Sequence, residues 1–339
     1  MKVLNMAVIG CGDIAGYMAY ALKFNPKIKI VGCADIDITK AQRFASRFKV
    51  PFYSDYIQML RETKPEAVYL AVPHYLHYPM MKELINANMH VLCEKPITTN
   101  LEDAIEICNL SQQRGVKIAV NYQYRYDKAC YAMVAASHQG HLGRLYYGIC
   151  NVPWHRDTDY FVQGSWRGKK ALSGGGTLLT QGSHALDILI WALGGTPVSA
   201  RGIIANRKFN DVEVEDLAMG IVQLDNGAFA QITSSMISTP EQPVTIQVYG
   251  EKGTAIYQGP DFPKVRFKGV RTKRQRPPVK GIHALTRSLE AFRRWVIHDE
   301  IPLNTAQQSL PVLAAITAIY RSAISGREEK VELLEANGA

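Results

Sequence analysis

The chain has 339 residues, about twice the length of a typical domain, so two domains with separate cores are expected. Its composition of 47% hydrophobic and 20% charged residues excludes a disordered chain and a small disulfide-stapled domain. The 39 basic and 30 acidic residues leave a formal charge of +9, which favours anionic ligands but does not by itself predict nucleic-acid binding.

Short apolar runs alternate with helical patterns through the first 120 residues. Strands are predicted at residues 3–9, 29–34, 67–72, 90–93 and 117–120, with helices at 54–63, 78–87 and 100–113 among the intervening segments. Strands that alternate with helices are typical of parallel βαβ units. We therefore predict a doubly wound α/β domain over residues 1–122.

After residue 122 the pattern changes to longer strands between helices. Helices are predicted at 127–136, 175–193, 284–296 and 306–325, and strands at 198–205, 214–224, 228–235, 244–249 and 253–257. These strands alternate apolar and polar residues, and Asp225-Asn226-Gly227 is typical of a hairpin turn. We predict a second α/β domain over residues 123–339, with a large, mostly antiparallel open sheet.

The six cysteines are scattered and include no CxxC pair, which is typical of a protein of the reducing cytoplasm. The apolar runs are shorter than the roughly 20 residues that cross a bilayer, so no membrane span is predicted. The pairs His74-x-x-His77 and His138-x-x-His141 have no cysteine or carboxylate at ligand spacing, and we predict no metal site.

The segment Gly10-Cys11-Gly12-Asp13-Ile14-Ala15 is a G-x-G-x-x-A motif between a predicted strand and a helix. Its glycines permit a tight turn and the close approach of a pyrophosphate to the helix N-terminus. Asp35, twenty residues beyond the motif, can bind a ribose 2′-hydroxyl and would repel a 2′-phosphate. The motif predicts a dinucleotide site that favours NAD over NADP.

Two further segments carry candidate proton-transfer groups. Lys95, in Glu94-Lys95-Pro96, follows a strand of the parallel sheet, at the edge where ligands bind in such sheets. A partly buried lysine there can act on a substrate hydroxyl, whereas the alternative is an ordinary surface lysine before a proline. His184 shares a polar strip with Thr180 and Asp187 on an apolar helix, and it is either a general base or a core histidine satisfied by Asp187.

Residues 264–280 concentrate positive charge with a single aromatic residue. One interpretation is a nucleic-acid interface. Aromatic residues do not alternate with the cations as a stacking platform requires, so we favour a solvated loop or a rim that attracts a phosphorylated or uronate substrate. No nucleic-acid partner is predicted.

Together these motifs resemble the Gfo/Idh/MocA oxidoreductases, a family named after glucose–fructose oxidoreductase, inositol dehydrogenase and a rhizopine-catabolism protein. The resemblance extends over nearly the whole chain. Besides the glycine motif and the histidine helix, it is carried by the segments Ala34-Asp35-Ile36-Asp37, Ala71-Val72-Pro73-His74-Tyr75-Leu76-His77, Glu94-Lys95-Pro96, Tyr124-Arg125 and Ser165-Trp166-Arg167-Gly168.

The resemblance implies a Rossmann domain that binds NAD, followed by a substrate-binding α/β domain whose sheet forms a homodimer or homotetramer. Substrate is expected between the domains, and hydride is expected to pass between a sugar, sugar-derivative or cyclitol carbon and the nicotinamide. Lys95 would orient the substrate hydroxyl and help to move its proton, with His184 as the acid/base. A cis Lys95–Pro96 peptide bond is also implied.

The resemblance assigns the remaining contacts residue by residue. The implied cofactor contacts are Gly10, Gly12, Asp13, Ile14, Asp35, Ala71, Val72, Pro73, His77, Glu94, Lys95, Gln123, Trp166 and Arg167. The implied substrate contacts are Lys95, Tyr124, Arg125, Thr180 and His184.

The sequence departs from the family pattern at two positions. Thr180 stands where inositol-dehydrogenase-like members carry an aspartate, so no carboxylate at that position tunes His184. His74 stands where relatives often have an asparagine, which leaves only the main-chain contacts of residues 71–73 to be expected. Trp166-Arg167-Gly168 with Gln181 looks like the branch that includes nucleotide-sugar 3-dehydrogenases.

Two other functions are open to a chain with this resemblance. One is an NAD-dependent, redox-neutral glycosidase of the same fold. The other is a regulator that binds the dinucleotide without turnover, although the presence of both Lys95 and His184 favours catalysis.

Overall fold

The computed structural model describes residues 2–162 and 165–333, and the chain divides into two compact units. The first unit contains the residues up to Thr98 together with Glu102–Tyr126 and Pro278–Gln308. The second contains Thr99–Leu101, Asp127–Pro277 and the residues from Ser309 onward. Each unit is built on its own β-sheet.

The first unit has a six-stranded parallel sheet in the order β3-β2-β1-β4-β5-β6. This is the strand order of doubly wound dinucleotide-binding sheets, and it confirms the predicted fold class for this part of the chain. The strands are β1 (Leu4–Ile9), β2 (Ile28–Ala34), β3 (Phe52–Tyr53), β4 (Ala67–Leu70), β5 (His90–Cys93) and β6 (Ile118–Val120).

Helices connect these strands, as parallel pairing requires. Single-turn 3₁₀ helices also lie at His74–Leu76, before the fourth α-helix, and at Gln123–Tyr126, after β6. The α-helices of this part of the chain are α1 (Asp13–Lys23), α2 (Ile38–Phe48), α3 (Tyr56–Thr63), α4 (His77–Asn86) and α5 (Leu101–Arg114).

The second unit has an eight-stranded sheet in the order β13-β12-β11-β7-β10-β9-β8-β14. Among the described residues of this sheet, only β7 and β10 pair in parallel, which confirms the predicted, mostly antiparallel sheet. The strands are β7 (Leu145–Pro153), β8 (Pro197–Ala205), β9 (Leu217–Leu224), β10 (Phe229–Ser235), β11 (Val244–Gly250), β12 (Thr254–Gly259), β13 (Lys264–Lys268) and β14 (Glu329–Lys330).

Helices cover one face of this sheet, with the apolar α9 packed against β7, β10 and β11. A π-helical turn, Leu178–Gly182, leads directly into α9. The helices are α6 (Lys128–His138), α7 (Asp159–Val162), α8 (Lys170–Ser173) and α9 (Ser183–Leu193).

The last two helices are α10 (Ala284–His298) and α11 (Ala306–Ser325). Leu289 and Phe292 of α10 are completely buried in the core of the first unit, with residues of β1 and α1. This return of the chain was not predicted, because the periodicity of an amphipathic helix shows which face is buried but not which element covers that face. No helix among the described residues is long and apolar enough to cross a membrane.

Several strands differ from their predictions. The central strand β7 and the edge strand β13 were not predicted, and β13 lies within the segment interpreted as a solvated loop. The strand predicted at 214–224 begins only at Leu217. Just before it, the carboxylates of Glu215 and Asp216 accept hydrogen bonds from main-chain amides elsewhere in the second unit.

We predict that Phe292→Ala lowers the free energy of unfolding by about 3–5 kcal/mol, because it opens a cavity in the core of the first unit. The matched control is Phe262→Ala, since the Phe262 side chain is 82% exposed and that of Phe292 is 0% exposed. Urea denaturation of both variants measures the difference. Equal costs would show that α10 does not contribute to this core.

Candidate active site

The loop between β1 and α1 is shaped for the approach of a ligand to a helix N-terminus. Gly10 has a φ of +87°, and a Cβ there would lie 2.3 Å from the Ala71 carbonyl oxygen. Gly12 is the N-cap of α1, and a Cβ there would meet no atom of the described residues within 4 Å. It has no side chain to cap the first-turn amides, whereas Asp37 caps those of α2. Uncapped amides of this kind bind phosphate groups.

Asp35 holds this loop against the end of β2. One carboxylate oxygen accepts a hydrogen bond from the Cys11 amide at 2.7 Å, and the other accepts one from the Asp37 amide at 2.8 Å. The residue is half-buried, while Asp13 and Ile14 are exposed in the first turn of α1. The structure therefore brings the predicted NAD-binding residues of this segment together around one loop.

Ile36 is a candidate that sequence reasoning missed. Its side chain is 94% exposed directly after Asp35, and that of Ile14 on α1 is 48% exposed. Exposed apolar side chains beside a polar loop are typical of a ligand-binding surface. The available signal was an isoleucine between Asp35 and Asp37, where an apolar residue of a strand end would ordinarily be buried.

His77 joins two loops at the carboxyl edge of the sheet. The residue is completely buried at the start of α4. Its Nε2 lies 3.0 Å from the Val72 carbonyl oxygen and its Nδ1 lies 2.7 Å from that of Pro96. Burial lowers the pKa of His77 below its ordinary value, although both carbonyls act in the opposite direction. Since both ring nitrogens contact main-chain oxygens, His77 positions residues 71–73 and the Glu-Lys-Pro segment.

Glu94 and Lys95 follow β5 at the same edge. Glu94 accepts hydrogen bonds from the Tyr69 hydroxyl at 2.6 Å and from the Asn121 amide group at 2.7 Å, both on Oε1. Burial raises the pKa of Glu94, while these hydrogen bonds and the charge of Lys95 oppose the rise. The peptide bond between Lys95 and Pro96 is cis, as the resemblance implied. Lys95 itself is half-buried beside this carboxyl.

A buried polar chain continues from Glu94 into the first unit. The Ser288 hydroxyl of α10 donates to Asn121 Oδ1 at 2.9 Å, and Asn304 Nδ2 donates to the Val120 carbonyl at 2.7 Å. The Tyr126 hydroxyl donates to Asn304 Oδ1 at 2.9 Å. Buried polar groups that satisfy one another in this way fix the relative positions of β5, β6 and α10.

The three predicted residues after β6 have different surroundings. Gln123 is half-buried, and its side-chain Oε1 is buried with no hydrogen-bond partner among the described residues. Tyr124 is 9% exposed. The Arg125 guanidinium donates to the Leu303 carbonyl at 2.6 Å and to that of Gln308 at 2.8 Å. Gln123 therefore has an acceptor available for a ligand, and Arg125 anchors residues 303–308.

In the second unit, His184 lies in the first turn of α9, directly after the π-helical turn. His184 is 7% exposed and Thr180 is also 7% exposed. The Thr180 hydroxyl donates to the Gly176 carbonyl at 2.7 Å. The predicted α-helical spacing of Thr180 and His184 does not hold here, because a π-helical turn contains more residues than an α-helical one.

Glu215, which sequence reasoning missed, anchors the N-terminal end of this helix. Its carboxylate accepts hydrogen bonds from the Gly176 amide at 2.8 Å, the Leu178 amide at 2.9 Å and the Tyr320 hydroxyl at 2.8 Å. Burial raises the pKa of Glu215, and these donors counteract the rise. A Cβ on Gly176 would lie 1.9 Å from the Glu215 carbonyl oxygen. A glycine at position 176 is therefore needed for this anchor.

Trp166 and Arg167 lie in a 3₁₀ turn, Ser165–Gly168, and both are half-buried. The Arg167 guanidinium carbon lies 4.9 Å from the ring centroid of Tyr160 and 5.2 Å from that of Trp166. Cation–π contacts of this kind hold the guanidinium near both rings. Tyr160 is not among the predicted site residues.

The predicted site residues thus fall into two sets. The first unit brings together its set at the carboxyl edge of its sheet and in the 3₁₀ turn after β6. The second unit holds Trp166, Arg167, Thr180 and His184. Among the described residues, no group of three or more His, Cys, Asp or Glu side chains could hold a metal ion.

Comparison with known proteins gives matches along most of the chain. Residues 4–122 match the family model for an oxidoreductase family with an NAD-binding Rossmann fold. Residues 131–256 match the model for the GFO/IDH/MocA C-terminal domain.

Individual relatives and solved structures agree with these matches. The D-glucoside 3-dehydrogenase of Escherichia coli is 26% identical, with 97% of both chains covered. The 1,5-anhydro-D-fructose reductase of Ensifer adhaerens is 27% identical over 81% of this chain and 82% of the relative. The WlbA dehydrogenase of Bordetella pertussis, solved with NADH and UDP-GlcNAcA, has a TM-score of 0.89 at 25% identity, with 98% of this chain and 99% of the other covered.

We predict that His77 makes folding stability depend on pH below about 6.5. The unfolded chain binds more protons than the folded one between the lowered pKa of His77 and 6.5, so the free energy of unfolding falls as the pH decreases through this range. The limiting slope for one group is about 1.4 kcal/mol per pH unit. Urea denaturation from pH 7.5 to 5 should therefore give a shallower dependence for His77→Gln than for the wild type.

His90, whose pKa burial also lowers, remains in both proteins, so the difference between the two curves isolates His77. Parallel curves would contradict the prediction.

Proposed function

Because the chain belongs to the Gfo/Idh/MocA family of NAD-binding oxidoreductases, we propose that it transfers hydride between a CH–OH carbon of a sugar, sugar derivative or cyclitol and NAD. Lys95 and His184 handle the hydroxyl proton. One observation carries the proposal. The carboxyl edge of the first sheet holds both a glycine loop, whose helix α1 has no side-chain cap, and a half-buried lysine beside the Glu94 carboxyl.

The residues around the glycine loop fit NAD. The open space beside Gly12 and the free first-turn amides of α1 suit a pyrophosphate, and Asp35 at the end of β2 suits an adenosine ribose. The unpartnered Oε1 of Gln123 suits a donor such as a carboxamide. Bound NAD supplies the hydride acceptor. An acid at position 35 would repel a 2′-phosphate, so NADP is the weaker ligand.

Lys95 has the surroundings of a group that orients a hydroxyl oxygen. The Glu94 carboxyl stays fixed because Tyr69 and Asn121 donate to it, and Lys95 follows it directly in the chain. The next residue in the chain, Pro96, is fixed by the contact of its carbonyl oxygen with the His77 ring. An ammonium group held in this way donates to the substrate oxygen and stabilises negative charge there as the proton leaves.

His184 is the proposed general base. It is almost completely buried on α9, and Glu215 fixes the preceding turn through the amides of Gly176 and Leu178. A neutral imidazole accepts the hydroxyl proton during oxidation, and the imidazolium returns it during reduction.

The relatives support a sugar-like substrate. Their names are those of enzymes for D-glucosides and 1,5-anhydro-D-fructose, and WlbA was solved with UDP-GlcNAcA. An inositol 2-dehydrogenase of Rubrobacter xylanophilus is 26% identical over 74% of this chain, so a cyclitol remains within the proposed class. Tyr124, Arg125 and Thr180 are the further proposed substrate contacts.

We also propose that the second sheet mediates assembly into a homodimer or homotetramer. Its uncovered face exposes apolar side chains at Ile203, Met219, Ile221 and Phe229, with exposed fractions between 44% and 70%. An apolar face of this extent favours burial against a second copy. The six free, buried cysteines support the cytoplasm as the location.

Absorbance at 340 nm tests the activity directly. The panel contains free sugars, inositols, sugar acids and nucleotide sugars, each with NAD and with NADP. NADH formation with one class of substrate is expected. Release of an aglycone without NADH would instead indicate the redox-neutral glycosidase, and dinucleotide binding without either product would indicate a regulator.

We predict that Lys95→Ala lowers kcat at least about 10²-fold and that His184→Ala lowers it about 10²–10⁴-fold, because each removes a proton-transfer group. NAD affinity should stay within a few-fold in both variants. The control is Lys82→Ala, which removes a lysine that pairs with Glu106 on the surface of the first unit. A near-wild-type rate for either variant, or an equal loss of NAD binding, would exclude the assigned role.

We predict that Gly12→Ala weakens NAD binding at least about tenfold while leaving the free energy of unfolding within about 1 kcal/mol. The added methyl group meets no protein atom within 4 Å among the described residues, but it occupies the space proposed for the pyrophosphate. Titration calorimetry with NAD measures the loss. The control Gly16→Ala, one turn further along α1, should keep wild-type affinity, and equal affinities for all three proteins would contradict the prediction.

A further inference from the structure

The second unit contains a cavity of about 440 Å³ that neither the fold nor the proposed function uses. Its size is within the range of small-molecule sites. Three separate segments form its wall, namely the start of α6, strand β13 with the residue before it, and a later stretch of the basic segment. The lining residues are Lys128, Ala129, Pro263, Lys264, Val265, Arg266, Arg274, Gln275 and Arg276.

All charged residues of this wall are cations. Lys264 and Arg266 are two residues apart on β13 and therefore point to the same side of this edge strand. The Arg274 guanidinium donates to the Val265 carbonyl at 3.2 Å, which attaches the later stretch to the strand. Lys128 contributes from α6. Secondary structure therefore positions Lys128, Lys264 and Arg266, and a main-chain hydrogen bond positions Arg274.

Within the described residues, none of these five cations forms an ion pair with an acidic side chain. The nearest acid in sequence, Asp127, uses one carboxylate oxygen to cap α6 through the amides of Ala129 and Cys130. The segment 264–280 has eight Lys and Arg residues and no Asp or Glu, so it supplies most of the net charge of +9. Like charges held together without counter-charges destabilise a fold, and a bound anion removes that cost.

We propose that this cavity is a binding site for a small molecule that carries a phosphate or diphosphate group. Guanidinium groups match phosphate oxygens in pairs, and Arg266, Arg274 and Arg276 supply three of them. No aromatic ring lines the wall, which favours a compact anion over stacked bases of a nucleic acid. The site lies wholly in the second unit and does not depend on the proposed dehydrogenase activity.

The test is calorimetric titration of inorganic pyrophosphate into the full chain saturated with NAD, at low ionic strength. Saturation with NAD prevents pyrophosphate from binding at the glycine loop. The cavity variant is Arg266→Ala/Arg276→Ala, and the control is Arg271→Ala/Lys273→Ala, which removes the same charge from residues outside the wall. The cavity variant should bind pyrophosphate at least about tenfold more weakly than the wild type, and the control should stay within about threefold.

Thermal unfolding of each protein shows whether it folds, and pyrophosphate should raise the Tm of the wild type and the control more than that of the cavity variant. If the double variant fails to fold, Arg276→Ala alone provides the comparison. Inorganic phosphate and UDP, titrated in parallel, distinguish a free anion from a phosphate group carried on a nucleotide, and tight binding of either at this wall supports the site.

Three results would overturn the proposal. In the first, pyrophosphate does not bind detectably to the NAD-loaded wild type. In the second, its binding is weakened equally in the cavity and control variants. In the third, the binding of an oligonucleotide requires the cavity cations but the binding of pyrophosphate does not.

Discussion

The buried carboxyl group of Glu94 connects the fold of the first unit to its chemistry. It follows β5, and one of its oxygens accepts from Tyr69 on β4 and from Asn121 just after β6. A carboxyl in this position is costly unless donors surround it, so neighbouring strands must bring those donors to the same point. The position of Lys95 therefore depends on the alignment of β4, β5 and β6.

The second unit uses the same physical device. The carboxylate of Glu215 is almost completely buried, and it accepts from the first amides before α9 and from Tyr320. The main chain of Glu215 passes so close to Gly176 that no side chain fits there, which explains why glycine precedes the helix. In both units a buried carboxyl, itself not proposed to react, fixes the segment that carries the proposed proton-transfer group.

The sequence predicted much of the fold because local patterns encode it. The glycine motif, the alternation of strands and helices and the apolar–polar alternation in several strands of the second sheet are visible as spacing and periodicity. The unpredicted features depend on contacts distant in sequence. Strand β7 pairs in parallel with β10 about 80 residues later, and α10 returns to the core around β1. The anchoring of the turn before His184 by Glu215 likewise joins residues almost 40 positions apart, which no local pattern predicts.

Transfer of a carbon-bound hydrogen from the sugar to the cofactor is the central claim. Mass spectrometry of the cofactor, after turnover of a substrate deuterated at its ring carbons, measures that transfer directly. The account predicts one deuterium in each NADH molecule formed, with the label absent from the solvent. Deuterium-free NADH, or label released to water, would contradict it.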